Sequence, residues 1–267
     1  MSELPFLAVK NCSVAYGAQT ALDDVSLELG RGERLAIIGE SGSGKSTLAL
    51  AIAGLLPGDA VQSGAIDFPG LEQAARPGAD IGFLFQDASG SLDPMMKIGD
   101  QIAEIMVSHR GMGWIAARVE AAQLLDRVRI PKALARLDDY PHQFSGGQKQ
   151  RIALAAALAG EPQLLIADEP TSALDTVTQR HIVDLLDELV REAALTLVFV
   201  THDVALAAER ADRIAVLRHG RIVETAATAA LLSSPAHPYS RALVALHLPL
   251  GTARPRRLPE IVEDVPS

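Results

Sequence analysis

Cysteine is almost absent from the sequence, and aromatic residues are scarce. Cys12 is the only cysteine among 267 residues, which excludes an internal disulfide framework or a cysteine-based metal site and fits a reducing compartment. Aromatic residues make up 4% of the chain, whereas hydrophobic residues make up 48%. A core of mostly Ala, Leu, Ile and Val favours buried parallel strands and Ala-rich helices over an aromatic-rich β-sandwich. The length suits one large α/β domain or a core with a smaller insertion.

Long hydrophobic runs are also missing. No apolar stretch approaches the ~20 residues of a membrane span, and residues 1–10 lack the basic start and apolar core of a signal peptide. We therefore expect any role at a membrane to require docking onto a separate membrane protein. A formal net charge of −9 argues against a general nucleic-acid-binding surface. The arginines at 210, 213, 218 and 221 are interpreted as a solvated face.

Apolar runs alternate with helical stretches, which predicts a parallel sheet with helices on its faces. Two strands around a turn at 16–19 are predicted within 6–29, and further strands at 34–38, 81–85, 164–167 and 196–200. Helices are predicted at 48–56, 98–107, 115–128, 148–159 and 177–192. The segments 214–217 and 221–223 predict a hairpin. Residues 225–247 are expected to be helical with a break at Pro235 and Pro238, before a loosely held tail.

Residues 39–46 read GESGSGKS, which fits the pattern G-x-x-x-x-G-K-S/T in full. Its glycines let the backbone wrap around a polyphosphate with N–H groups pointing inward, and the following helix adds its positive end. In such a loop Lys45 reaches the β- and γ-phosphates, and the Ser46 hydroxyl ligates Mg²⁺. A chance glycine loop is the alternative, which the strand before and the helix after disfavour. The sequence predicts a nucleoside triphosphate site.

The predicted strand at 164–167 ends in two carboxylates, Asp168 and Glu169. In a protein with a phosphate loop, the first holds Mg²⁺ directly or through water, and the second polarises the attacking water. Adjacent residues at the end of a strand point apart, so such a division of roles is geometrically natural. A solvated strand end before the turn at Pro170 is the alternative, but the phosphate loop favours the functional interpretation.

A second glycine motif, FSGGQ at 144–148, comes just before a predicted helix. A serine and two glycines expose backbone N–H groups at a helix start, which suits another anion contact. An ordinary helix N-cap at Ser145 is the alternative.

With these motifs the sequence resembles the ATP-binding cassette family over nearly the whole chain. SGGQ resembles the signature motif of that family, with Phe144 where Leu is more usual. The sequence VAYG at 14–17 resembles the loop whose aromatic residue stacks on adenine, and Gln86 resembles the glutamine that senses Mg²⁺ and links to the permease. The sequence SALD at 172–175 resembles the loop that crosses the dimer interface, and THD at 201–203 the switch-histidine segment. Each of these five motifs is weak alone, but their occurrence in the correct order, together with the phosphate loop, is specific.

The resemblance implies ATP and Mg²⁺ as cofactors and a head-to-tail dimer, with each ATP between the phosphate loop of one subunit and the signature motif of the other. The nucleotide-binding residues implied within one chain are Tyr16, Gly39, Ser41, Gly42, Ser43, Gly44, Lys45, Ser46 and Thr47. Those implied to act in trans are Ser145, Gly146, Gly147 and Gln148. The implied metal ligands are Ser46, Gln86 and Asp168. The implied catalytic residues are Lys45, Gln86, Glu169 and His202.

The predicted fold class is therefore α/β, with a P-loop NTPase (RecA-like) core, an N-terminal antiparallel β-subdomain and a helical insertion subdomain. We assign the nucleotide-binding core to residues 1–86 and 160–230, the helical subdomain with the signature motif to 87–159, and a C-terminal extension to 231–267.

Two stretches point to a branch of the family. SLDP at 91–94, followed by IGDQI at 98–102, and SSPAHPYSR at 233–241 resemble segments of peptide and nickel importer ATPases. An ordinary helix break is the alternative for the second stretch. The cysteine cluster near the C-terminus of some peptide-importer ATPases has no counterpart, which leaves room for a nickel-type or another small-solute importer.

We expect an ATPase that drives uptake of an oligopeptide, dipeptide or nickel-type solute through separate transmembrane permease subunits docked around 86–105. A second ATPase chain, identical or related, and indirectly a periplasmic or extracellular solute-binding protein complete the expected partners, at the cytoplasmic face of the cell membrane. Nucleic acid is not an expected partner. The alternatives are a soluble ATPase of DNA repair or translation, a non-hydrolysing module and an exporter ATPase. The four residues Lys45, Asp168, Glu169 and His202 disfavour the non-hydrolysing module.

Overall fold

The computed structural model describes residues 4–171 and 175–247. Its strands are β1 Leu7–Tyr16, β2 Gln19–Leu29, β3 Arg34–Ile38, β4 Ala60–Asp67, β5 Ile81–Leu84, β6 Leu164–Asp168, β7 Thr196–Thr201, β8 Arg213–Arg218 and β9 Arg221–Ala227. Its α-helices are α1 Lys45–Ala53, α2 Ala88–Ser91, α3 Ile98–Arg110, α4 Trp114–Arg127, α5 Gly146–Leu158, α6 Thr176–Glu192, α7 Val204–Arg210, α8 Thr228–Ser233 and α9 Pro238–His247. In these two ranges, no helix combines the length and apolarity needed to cross a bilayer.

The strands form two sheets. A three-stranded antiparallel sheet has the order β2-β1-β4, and a six-stranded sheet has the order β5-β6-β7-β3-β8-β9. In the larger sheet β5, β6, β7, β3 and β8 run parallel, and β9 closes the edge as an antiparallel hairpin with β8. The inner strands are buried on both faces, which explains their continuous apolar runs. The α/β fold class predicted from the sequence is confirmed.

Helix α1 lies between the two sheets. Its side chains Leu48 and Ile52 belong to the same buried cluster as Val14 of β1 and Leu35 of β3. A helix enclosed on both sides needs apolar residues around its whole circumference, which explains the sequence KSTLALAIA. Lys45, the first residue of α1, is therefore held in position because its helix packs against both sheets.

Helices α3, α4 and α5 pack on the opposite face of the larger sheet. Ile102, Leu125 and Ile152 share one buried cluster with Leu189 of α6 and Phe199 of β7. A third cluster joins the C-terminal helices to the sheet. It contains Ile38, Val216, Leu231, Tyr239 and Leu243. The helices after β9 are therefore an integral layer of the fold.

Four elements differ from the sequence-based expectation: the helices α2 and α7 and the strand β4 were not predicted, and β9 extends into a predicted helix. Strand β4 was not predicted, because its sequence AVQSGAID is polar and its residues are mostly exposed on the edge of the small sheet. Residues 225–227 were predicted as helix but extend β9, where Thr225 pairs with Ala215 and Ala227 with Arg213. The hydrogen-bonded pairing of β9 with β8 overrides the helical propensity of this Ala-rich stretch. The predicted tail after 248 lies outside the described residues.

Candidate functional site

Two glycines of the phosphate loop, Gly39 and Gly44, stand where no side chain fits. A Cβ at Gly39 would lie 2.1 Å from the carbonyl oxygen of Leu217, and a Cβ at Gly44 would lie 2.5 Å from that of Ala21. Gly39 and Gly44 also have positive φ values of 156° and 103°. At Gly42, with φ 79°, the space around a Cβ is open. The ends of β8 and β2 therefore press the loop into its shape at two points.

Lys45 is the first residue of α1 and is buried under the loop. Its ammonium donates to the carbonyl oxygens of Gly39 at 3.0 Å and Glu40 at 2.8 Å. Burial lowers the pKa of Lys45, and the charges of Glu169, Asp168 and Glu40 act against that shift. The N-cap Gly44 supplies no side-chain hydrogen bond, so the first N–H groups of the helix have no side-chain acceptor there. A cation and a helix N-terminus thus point together at the loop, which is the arrangement that binds phosphate.

Ser46 and Asp168 meet at the floor of the loop. The Ser46 hydroxyl donates to Oδ1 of Asp168 at 3.0 Å, and the aspartate is buried at the end of β6. Burial raises the pKa of Asp168, and the hydrogen bond from Ser46 offsets part of that shift. Two oxygen donors of the kind Mg²⁺ prefers therefore converge on one point. In the described ranges, no cluster of three or more His, Cys, Asp or Glu residues would hold a metal alone.

Glu169 points away from Asp168, toward Lys45 and His202. Its φ of 41° lies in the left-handed region, which residues other than glycine rarely adopt. Its N–H donates to the carbonyl oxygen of Val200 at 3.0 Å. Oε1 lies 3.9 Å from Nζ of Lys45, and Oε2 lies 3.3 Å from Nδ1 of His202. Such strain costs about 1–3 kcal/mol and persists where the surroundings over-determine it. The conformation turns the carboxylate into the site.

One cleft of about 550 Å³ collects most of the predicted nucleotide-binding residues. Its lining residues from the predicted set are Tyr16, Ser41, Gly42, Gly44, Lys45, Ser46, Thr47, Gln86 and Glu169. Gly39, Ser43, Asp168 and His202 do not line the cleft, but each is hydrogen-bonded to a residue that does: Lys45, Gly220, Ser46 and Glu169, respectively. The cleft therefore joins the turn of the small sheet to the phosphate loop.

Sequence reasoning missed five residues of the cleft, Gln19, Thr20, Ala21, His219 and Gly220. The N–H of Gly220 donates to the carbonyl oxygen of Ser43 at 2.9 Å. His219 and Gly220 have φ values of 47° and 76°, as a tight hairpin turn requires. The dipeptide His219-Gly220 predicts the turn, but no sequence signal places that turn against the phosphate loop.

The SGGQ motif lies elsewhere in the chain. The Ser145 hydroxyl accepts from the N–H of Gln148 at 3.3 Å, and Oε1 of Gln148 accepts from the N–H of Ser145 at 3.0 Å, which caps α5. Ser145, Gly146 and Gly147 line a separate pocket of about 570 Å³ with Asp175 and residues of α6. A single chain does not bring this motif to the phosphate loop. Of the predicted interface loop, Ser172, Ala173 and Leu174 lie outside the described residues.

Gln86 is exposed at the end of β5 and lines the nucleotide cleft. The carbonyl oxygen of the preceding Phe85 accepts from the side chain of Gln150 on α5 at 3.4 Å. Beside it lies an apolar pocket of about 300 Å³, lined by residues that include Leu55, Phe83, Phe85, Ile105 and Ala153. The segment after β5 thus connects the cleft, the helix of the SGGQ motif and an apolar surface.

Comparison with known proteins agrees with the family that the motifs resemble. A family model described as ABC transporter matches residues 22–172. The uncharacterized ABC transporter ATP-binding protein YejF of Escherichia coli (strain K12) is 45% identical over an alignment of 252 residues that covers 89% of this chain and 48% of that protein. The glutathione import ATP-binding protein GsiA of Salmonella typhimurium (strain LT2) is 41% identical over an alignment of 288 positions that covers 98% of this chain and 46% of that protein. The chain spans about half the length of the curated relatives it matches.

Solved structures agree with the fold. A dimeric ATP-binding cassette in a post-hydrolysis state, bound to ADP and Pi, matches with a TM-score of 0.71 and 31% identity over 83% of this chain and 98% of that chain. The structure of cbiO1 from Clostridium perfringens, part of the ABC transporter complex cbiONQ, matches with a TM-score of 0.72 and 29% identity over 87% of this chain and 92% of that chain.

Proposed function

Because the chain belongs to the ABC transporter family of ATP-binding proteins, we propose that it binds MgATP in the phosphate-loop cleft and hydrolyses it to drive solute import through separate permease subunits. The observation that carries this proposal is the convergence of Lys45, Glu169 and His202. The Glu169 carboxylate lies 3.9 Å from the Lys45 ammonium and 3.3 Å from the His202 ring. One carboxylate therefore faces both a phosphate-binding cation and a second polar group.

The phosphate loop supplies the binding energy for ATP. Lys45 and the N–H groups at the start of α1 neutralise the charge on the β- and γ-phosphates. The Ser46 hydroxyl and the Asp168 carboxylate, joined at 3.0 Å, fit Mg²⁺, and Gln86 lies in the same cleft as a further oxygen donor. A bound Mg²⁺ would supply charge neutralisation to the phosphates. Tyr16, which lines the same cleft, would stack on adenine.

Hydrolysis requires a water in line with the γ-phosphate. Glu169 accepts a proton from that water or orients it, since its carboxylate is turned into the site by the positive φ. The exposed ring of His202 contacts the other carboxylate oxygen of Glu169 and would contact the γ-phosphate of a bound ATP. Positioning and charge stabilisation are the main protein contributions to phosphoryl transfer.

The site is completed by a second cassette. The Ser145–Gln148 segment is exposed or half-buried and lies outside the cleft of its own chain, which supports an action in trans on an ATP held by a partner. Curated relatives of about twice this length have room for two cassettes. We include in this proposal the division into a core of residues 1–86 and 160–230, a helical subdomain of 87–159 and an extension of 231–267.

Import of a small solute of the peptide or nickel class is the transport function that the relatives support best. One relative is named for glutathione import, and glutathione is a short peptide. The apolar pocket beside Phe85 and Ile105 offers a docking site for a permease, which would hold the chain at the cytoplasmic face of the membrane. A solute-binding protein would act through that permease. Contact with nucleic acid is not part of the proposal.

An affinity pull-down from detergent-solubilised membranes, with mass spectrometry of the recovered proteins, tests the transport proposal. Phe85→Asp puts a charge into the apolar pocket, and Val61→Asp changes an exposed residue of β4 away from it. We expect the unmodified chain and Val61→Asp to recover a pair of permeases and Phe85→Asp to lose them. Ribosomal or DNA-bound partners without a permease would overturn the transport function and leave only the ATPase chemistry.

A further inference from the structure

The C-terminal helix α9 touches the phosphate loop directly. The Tyr239 hydroxyl accepts a hydrogen bond from the N–H of Glu40 at 3.1 Å. Tyr239 lies 199 positions after Glu40 in the chain and is only 4% exposed. The hydroxyl of a buried tyrosine normally has a specific partner, and here that partner is the backbone of the loop.

The Gly39–Glu40 peptide bond is held at both of its polar ends. Its carbonyl oxygen, on Gly39, accepts from the Lys45 ammonium at 3.0 Å, and its N–H, on Glu40, donates to Tyr239. Because a peptide unit is planar, fixing the N–H also fixes the direction of the carbonyl oxygen. Through this peptide unit, the Tyr239 hydroxyl therefore helps to fix the position of the Lys45 ammonium.

A second contact links Tyr239 to the other wall of the cleft. The guanidinium carbon of Arg218 lies 4.9 Å from the centroid of the Tyr239 ring. Arg218 ends β8 and precedes His219 and Gly220, which line the nucleotide cleft. One aromatic side chain thus contacts the phosphate loop through its hydroxyl and the strand before the His219-Gly220 turn through its ring.

The segment before α9 is held firmly enough to position this side chain. The Glu224 carboxylate of β9 accepts from the N–H of Ala236 at 2.8 Å and from that of His237 at 2.9 Å. Nδ1 of His237 in turn accepts from the N–H of Tyr239 at 3.2 Å. Burial alone would raise the pKa of Glu224, but the hydrogen bonds from the N–H groups of Ala236 and His237 help to lower it, so the carboxylate is charged at neutral pH.

We infer that Tyr239 is a positioning residue for the nucleotide: its hydroxyl holds the Gly39–Glu40 peptide, and through it the Lys45 ammonium, in the geometry that receives the phosphates of ATP. This inference rests on the proposed function of the phosphate-loop cleft. It gives the C-terminal extension a role in nucleotide binding that the loop sequence alone does not encode.

Tyr239→Phe tests the inference because it removes the hydroxyl and keeps the ring on Arg218. Val244→Ala is the matched control, since it trims a buried apolar side chain of α9 and leaves the hydroxyl in place. The measurements are the MgATP affinity by titration calorimetry and the KM and kcat of ATP hydrolysis. The thermal midpoint of each variant is measured alongside.

Loss of one hydrogen bond costs about 1 kcal/mol, which corresponds to an affinity change of about fivefold. We expect Tyr239→Phe to weaken MgATP binding and to raise KM by about fivefold, with kcat within about twofold of the unmodified chain, as for an interaction made equally in ground and transition states. Val244→Ala is expected to lower the thermal midpoint without changing MgATP affinity.

Lys45→Ala separates failure of this inference from failure of the proposed function. If Lys45→Ala binds MgATP much more weakly than the unmodified chain while Tyr239→Phe binds it equally well, the positioning role of Tyr239 is wrong and the proposed function stands. If Val244→Ala weakens binding as much as Tyr239→Phe, packing of α9 is responsible and the role of the hydroxyl is again wrong. If the unmodified chain fails to bind MgATP, both fall together.

Discussion

The Lys45 ammonium and the Glu169 carboxylate face each other across the phosphate loop, with Nζ 3.9 Å from Oε1. Both side chains are largely enclosed, at 5% and 16% exposure. Lys45 has three N–H donors, and two of them reach the carbonyl oxygens of Gly39 and Glu40. A γ-phosphate entering between the two residues would meet a cation on one side and a proton acceptor on the other. We thereby assign phosphate binding to Lys45 and hydrolysis to Glu169.

Replacing Lys45 should impair nucleotide binding itself. Lys45→Ala removes a hydrogen bond to a charged group, which is worth about 3 kcal/mol or a factor of about 100 in affinity. Lys10→Ala is the control, because Lys10 is an exposed lysine paired with Asp67. Titration with MgATP at constant ionic strength measures the effect. Unchanged affinity in Lys45→Ala would remove this residue from the phosphate site.

Replacing Ser145 should impair assembly of two cassettes around ATP more than it impairs ATP binding to one chain. Ser145→Ala removes the hydroxyl proposed to act in trans and also the cap of α5, at a cost of about 1 kcal/mol in stability. Ser145→Thr keeps a hydroxyl and serves as the rescue control. Sedimentation with MgATP and a hydrolysis-deficient background measures dimer formation. Equal dimerisation of the Ala and Thr variants would argue against the role in trans.

Two glycines of the loop should respond differently to the same substitution. Gly39→Ala places a Cβ 2.1 Å from the carbonyl oxygen of Leu217, so β8 or the loop must shift. Gly42→Ala meets nothing within 4 Å and suffers only the cost of a positive φ, about 1 kcal/mol. Chemical denaturation without nucleotide should show a clearly larger loss of unfolding free energy for Gly39→Ala. Equal losses would mean that β8 does not confine the loop.

Asp187 should stabilise the fold at neutral pH. Its buried carboxylate accepts from Arg34 at 3.3 Å, Arg191 at 2.5 Å and Arg210 at 3.0 Å. Burial would raise the pKa of Asp187, but the hydrogen bonds from Arg191 and Arg210 and their charges lower it. Asp187→Asn removes the buried negative charge that the partly exposed Arg34 and Arg210 and the exposed Arg191 share, and it should reduce the free energy of unfolding by about 2 kcal/mol at pH 7.

The direction of the pH dependence follows from the lowered pKa of Asp187. A carboxylate with a lowered pKa in the folded state contributes stability above its unfolded pKa of about 3.9, and that stability is lost as the pH falls through the folded pKa. The difference between the unmodified chain and Asp187→Asn should therefore persist at pH 7 and shrink below about pH 4. Asp59→Asn, at an exposed position, is the control. A difference that grows on acidification would contradict this account.

Local sequence patterns were sufficient to predict the strand at 34–38, the phosphate loop and a helix after it, because glycines, lysine and apolar periodicity act within a few residues of one another. The helix itself spans Lys45–Ala53, three residues earlier than the predicted 48–56. They were not sufficient for β4, whose polar residues form a strand only because β1 offers a pairing edge. The contacts of Gly220 with Ser43 and of Tyr239 with Glu40 join residues far apart in sequence. Such contacts depend on the packing of β8 and α9, which no short motif encodes.

The most direct test of the account compares MgATP binding and MgATP hydrolysis in Glu169→Gln. This substitution keeps the shape of the side chain but removes the proton acceptor, which should lower kcat by about 10²–10⁴. It should leave MgATP affinity equal to or above that of the unmodified chain, because Lys45, Ser46 and Asp168 are untouched. Measured on the same preparation, full binding with near-abolished phosphate release is the predicted result. Phosphate release at the rate of the unmodified chain would contradict the assignment of Glu169, and with it the chemistry proposed for the cleft.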